Sequence, residues 1–102
     1  MSTTTTLPLT NDGCRTVTTQ VDGTYFKFRT YYNRLDGWYI DIYDSEGNVI
    51  VEGIKLVPSI NLMRQFTGNA FGAEMYYVVS DGSEGNGPDD LGEIGTVQCL
   101  TE

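Results

Sequence analysis

Tyr39, Asp41 and Tyr43 alternate along the stretch GWYIDIYDSEGNVI (37–50), and each brings a group that could do chemistry. Successive side chains of an extended chain point to opposite faces, so Trp38, Ile40 and Ile42 share one face and these three share the other. A half-buried strand normally sets an apolar face against a polar one; here the second face is aromatic and charged. Arg29 and Tyr31 alternate in the preceding segment and join that face if the two segments pair. Such a set suits two kinds of chemistry. Rings can stack on a sugar while a carboxylate accepts its hydroxyls, and Tyr with Arg can anchor a protein contact.

Catalysis has few further groups to draw on. The chain has no His, so Ser and Cys nucleophiles lack their usual base and His-containing zinc sites are excluded. Cys14 and Cys99 cannot complete a four-cysteine site. They read as two buried, reduced thiols of a cytosolic chain, able to approach only if the first and last strands are neighbours. Asp41 with Asp44, or Asp89 with Asp90, could act on glycosides only by facing each other across a cleft; neighbouring surface acids usually serve solvation. The loop DGSEGNGPDD (81–90) holds four acids, three glycines and one proline. It offers oxygen ligands to a hard cation but lacks the ordered Asp-x-Asp-x-Asp-Gly spacing, so it reads as a solvated, metal-free loop. No glycine-rich phosphate cradle precedes a helix. Neither an enzyme nor a cofactor is expected.

The formal net charge is −8 and is unevenly spread. All six basic residues lie in residues 1–66 beside seven acids, whereas residues 67–102 hold seven acids and no base. Nucleic-acid affinity rests on Lys and Arg against phosphates, so nucleic acid is not an expected partner, and neither is an anionic membrane. No apolar run approaches the ~20 residues that span a bilayer. The opening MSTTTTLPLT lacks the basic and apolar regions of a signal peptide, which points to synthesis in a cytoplasm.

The groups above must be positioned by strands. RTVTTQV (15–21) is β-branched and ends at the turn pair Asp22-Gly23, and TYFKFRTYYN (24–33) alternates. Leu35-Asp36-Gly37 reads as a hairpin loop with its Gly in the left-handed position, pairing Tyr32 with Ile40 and Thr30 with Ile42. Ser45-Glu46-Gly47 reads the same way, pairing Tyr43 with Val49, Ile42 with Ile50, Tyr39 with Gly53 and Trp38 with Ile54. Both turns put Phe26, Phe28, Tyr32, Trp38, Ile40, Ile42, Ile50 and Ile54 on one core face. Glu52 falls opposite Ile40 on that face, and a bulge near Gly53 would relieve it.

Ser59 is a candidate N-cap for a short helix over 59–66, and strands follow at 74–80 and 94–101. The Thr run offers nothing to bury, so residues 1–12 are expected to be a flexible N-terminal arm and residues 13–102 a single β domain. Its fold class is mainly β, a small antiparallel barrel or sandwich of about six strands with one short helix.

A string of local features is distinctive: Tyr32-Asn33 ending an alternating strand, Trp38-x-x-Asp41, Asp44-x-x-Gly47, Gly53-x-x-Leu56-Val57, Asn61-Leu62 before Phe66, and Asp89 to Gly92 before a final strand. In these the chain resembles the small plug-type baseplate proteins of contractile-tailed phages, the cyanophage baseplate plug family. The likeness covers most of the chain, and its motifs are structural. It implies a non-enzymatic virion component of the tail baseplate, near the hub at the end of the tail tube. Hub and tail-tube proteins are the implied partners, with no cofactor, and a homo-oligomer in the virion is expected. On that reading Arg29, Tyr31, Tyr39, Asp41 and Tyr43 form an interface with another protein. On the alternative, a small carbohydrate-binding β module, Tyr31, Tyr39 and Tyr43 form a platform for sugar rings.

Overall fold

A computed structural model describes residues 3–11, 14–21, 23–35, 37–58, 60–63, 74–80, 87 and 91–101. Through them run strands β1 (Thr3–Thr6), β2 (Cys14–Val21), β3 (Thr24–Asn33), β4 (Gly37–Asp44), β5 (Val49–Lys55), β6 (Glu74–Val79) and β7 (Gly95–Thr101). They form two antiparallel sheets, β2-β3-β4-β5 and β1-β7-β6. Neither closes on itself, so of the two expected architectures the sandwich is realised and the barrel is not.

The first sheet is a meander whose turns set its register. Between β3 and β4 the observed pairs are Asn33 with Gly37, Tyr32 with Trp38 and Thr30 with Ile40, two residues from the expected alignment. The Asn33 side-chain oxygen accepts the Leu35 N–H at 2.9 Å, a local turn that places the loop between Asn33 and Gly37. Gly37, at φ 109°, enters the strand instead of the loop. Because side chains alternate with period two, an even shift leaves every face assignment intact.

Between β4 and β5 the turn is anchored by Asp44, whose Oδ1 accepts the N–H groups of Glu46 and Asn48, each at 2.9 Å. Tyr43 pairs with Val49 as expected, but the register then shifts twice, giving Ile42 with Val51 and Ile40 with Ile54. The expected pairs of Ile42 with Ile50 and Tyr39 with Gly53 are therefore not formed; Tyr39 faces Lys55, and the Trp38 carbonyl accepts the Leu56 N–H at 2.9 Å. One shift falls at Ile50; the other falls at Glu52 and Gly53, where Gly53 has φ 75°. The second carries Glu52 off the core face into solvent, which is the relief the sequence requires.

The core lies between the sheets. Phe26, Phe28, Trp38, Ile40, Ile42 and Ile54 are buried, and Tyr32 and Ile50 pack against them partly exposed. The second sheet answers with Met75, Tyr77, Val97 and Cys99, each no more than 1% exposed. Trp38 Nε1 donates to the Gly87 carbonyl at 2.8 Å, so its one polar group is satisfied inside.

Three expectations are corrected. The stretch expected to be a flexible arm contains β1, which pairs with β7 from Thr3↔Thr101 to Thr6↔Gln98. Leu7 and Leu9, just beyond it, are buried, and the Leu7 N–H donates to the Val97 carbonyl at 2.9 Å. The Thr run itself buries little, but the two leucines hold it in place.

The expected helix over 59–66 is not found where the chain is described. Residues 60–63 form a bend and turn, and 59 and 64–66 lie outside the described residues. Asn61 Oδ1 accepts the N–H groups of Met63 and Met75, each at 3.1 Å. This side chain competes locally with helical bonding. Pro58 bridges Tyr77, and the Leu62 N–H donates to the Met75 carbonyl at 2.7 Å. The segment after β5 therefore covers the outer edge of β6.

The cysteines differ from each other. Cys99 is buried in β7, whereas Cys14, at the start of β2 in the other sheet, is exposed; both are free thiols.

Candidate functional site

The register of β3 on β4 sets Arg29 directly opposite Asp41, Tyr31 opposite Tyr39 and Lys27 opposite Tyr43, all on the face turned away from the core. The structure thus brings together all five residues singled out in the sequence. The Tyr31 and Tyr39 rings stack, with centroids 5.7 Å apart and planes 11° from parallel. The Arg29 guanidinium carbon lies 5.1 Å from the Tyr31 ring centroid, within cation–π range.

Asp41 is the centre of this layer, yet it is only 3% exposed. Its Oδ1 accepts the Gly53 N–H at 2.8 Å and the Tyr31 hydroxyl at 3.3 Å. Its Oδ2 accepts the Tyr43 hydroxyl at 3.3 Å and Arg29 at 3.4 Å. A carboxylate has about four acceptor positions, and these donors account for them. Burying a charge is costly unless its partners replace water. The short main-chain bond from Gly53 is the principal anchor, because the other three are long. With 43% of its side chain exposed, Arg29 forms an ion pair that solvent screens.

This arrangement shifts the neighbours. The Tyr31 and Tyr43 phenols are pushed up, first by burial and then by the Asp41 charge and the hydrogen bond to it. Arg29, cationic in any case, is pushed further up, first by its interaction with Cys14.

The sequence places Asp41 correctly on the outer face but treats it as outward-facing and available. Tyrosines cover it, and half-burial of Tyr31, Tyr39 and Tyr43 is the other side of the same packing. Gly53 is the participant that residue types did not reveal as part of the site. The one signal was the misplaced Glu52, which demanded a bulge there.

The remaining candidates do not assemble. Asp44 pairs with the core residue Phe26, so it and Asp41 point to opposite faces of β4. Its carboxyl is held below the usual range, first by the Asn48 N–H, and it serves its own turn. Of the acidic loop only Gly87 is described; Asp89 and Asp90 lie outside the described residues.

Residues 4–101 match the model of the family described as cyanophage baseplate Pam3 plug gp18. The chain belongs to that family. The match spans both sheets and takes in β1 from Thr4 onward, so the N-terminal strand is part of the plug fold. A baseplate plug is a structural component of the phage tail, placed in the virion among other baseplate proteins. No curated protein matches the chain.

Proposed function

We propose that this chain acts as a non-enzymatic plug subunit at the end of the tail tube, beside the hub, and works through protein contacts alone. The tube and hub proteins are its neighbours, and the outer face of β3 and β4 is the surface that meets one of them. The observation that carries this reading is the Asp41 cluster. Four donors converge on one carboxylate, gathering Tyr31, Tyr43 and Arg29 round it, and Tyr39 stacks on Tyr31 to complete a preformed plate. Ordering side chains on association costs free energy, and a preformed plate avoids much of it. Tyr and Arg are also the residue types that dominate interface energetics.

The carbohydrate reading is weaker on the same observation. A sugar platform needs a free ring face and a carboxylate with acceptor positions to spare. Here Asp41 is buried with its positions filled, and Tyr31 already carries Tyr39 and Arg29 against its ring.

The test is the double change Tyr39→Ser with Tyr43→Ser in the full chain. The variant should remain folded and soluble but fail to enter assembled tails. Normal assembly would defeat the reading. So would binding of the wild type to a glycan array that the same pair abolishes.

A further inference from the structure

Each sheet has two outer strands, and three of these four edges are closed, interrupted or short. The outer edge of β6 is covered by Pro58, Asn61 and Leu62. β5 is broken by register shifts at Ile50 and Gly53 and carries the charged, exposed Glu52 and Lys55. β1 is only four residues long. β2 differs from all of them: its eight residues pair one-to-one with β3, with no bulge and no proline. Cys14, Arg15, Thr16, Thr18 and Gln20 are exposed along it, and among the described residues no strand pairs with its far side. A long, regular, uncovered edge is a template for another strand, and proteins that stay alone block such edges.

Charge narrows the choice of occupant. β2 and β3 together hold Arg15, Lys27 and Arg29 and no acid, in a chain of formal charge −8. Arg29 is turned toward Asp41 on the other side of β3, while Arg15 lies on β2 itself. Thr18 faces Lys27 across the pair, and its short side chain leaves the longer cationic one room to reach a strand laid beyond. We propose that the free edge of β2 takes an extended acidic segment of a neighbouring baseplate subunit as a fifth strand, held by main-chain bonds and steered by these bases. A second copy suits the site poorly: its own β2 brings like charge, its β1 has only threonines, and its β5 is interrupted. The inference rests on the chain's place in the baseplate and is independent of which protein meets the tyrosine face.

Hydrogen exchange in assembled tails, compared with the isolated full-length protein, tests it. The β2 amides that do not bond to β3 should exchange quickly in the isolated protein and, in tails, as slowly as those of the central strand β3. Thr16→Asp with Thr18→Asp, both exposed positions, should lower incorporation into tails, while Thr16→Lys with Thr18→Lys should retain it. Unchanged β2 exchange in tails that contain the protein would overturn the proposal and leave the plug assignment standing. Protection that rises with concentration in the isolated protein would also overturn it, in favour of self-pairing. Equal incorporation of the Asp and Lys variants would remove the acidic character of the partner.

Discussion

The Gly53 N–H donates to Asp41 Oδ1 at 2.8 Å, so an irregularity in β5 and a buried charge on β4 hold each other in place. Without the bulge, no main-chain donor would reach the carboxylate. Without the carboxylate, a residue at φ 75° in mid-strand would keep an unpaired N–H.

Asp41→Asn should therefore destabilise the fold by about 1–3 kcal/mol, since the amide turns a donor toward groups that are themselves donors. Urea unfolding of the variant and the wild type measures this. An unchanged midpoint would mean that the four contacts contribute nothing to stability.

Two glycine substitutions should separate backbone strain from collision. A Cβ at Gly53 meets nothing within 4 Å, so Gly53→Ala carries only the left-handed penalty of about 1–2 kcal/mol. Gly92 has φ 86°, and a Cβ there would stand 2.6 Å from the Leu9 carbonyl oxygen. Gly92→Ala should therefore cost clearly more than Gly53→Ala, because main chain rather than a flexible side chain must move. Thermal melts of the two variants give the order.

Trp38→Ala should cost about 3–5 kcal/mol, a large part of a typical domain's ~5–15 kcal/mol. Trp38→Phe should cost less, because it refills much of the volume and loses only the Nε1–H bond to the Gly87 carbonyl. A Trp38→Ala protein with the wild-type melting temperature would contradict the buried position.

Alkaline pH should weaken the fold. Burial pushes the Cys99 thiol from its ordinary 9.0 up to about 12, and the Tyr31 and Tyr43 phenols are raised as well. The unfolded chain releases these protons at lower pH than the folded one. Stability is thus fully present below about pH 9 and declines as the pH rises from there toward the folded values. Tyr31→Phe should flatten the part of the decline above about pH 10. Unfolding free energies measured across this range decide it, and a flat wild-type profile would count against buried thiol and phenols alike.

The core was legible because period-two alternation is a local property. Phe26, Phe28, Trp38, Ile40 and Ile42 declare their face whichever neighbour they pair with. The β3–β4 register was less legible, since Asn33 and Gly37 each suit more than one position in a turn. The burial of Asp41 could not be read at all. It depends on the Gly53 N–H, twelve residues on in sequence, being brought across by a bulge. β1 was hidden for a similar reason: four threonines are strand formers, but their partner lies at the other end of the sequence.

That last pairing has a kinetic consequence. The meander β2–β5 joins sequential neighbours through short turns, whereas Thr3↔Thr101 closes a loop of almost the whole chain. Closing so long a loop costs entropy before any contact repays it, and distant pairings slow folding. The meander should therefore form first and the β1-β7-β6 sheet last. Until residues 95–101 have left the ribosome, the second layer over Phe28, Ile40 and Ile42 lacks its central strand. A chain stopped short of β7 should aggregate instead of melting at a lower temperature.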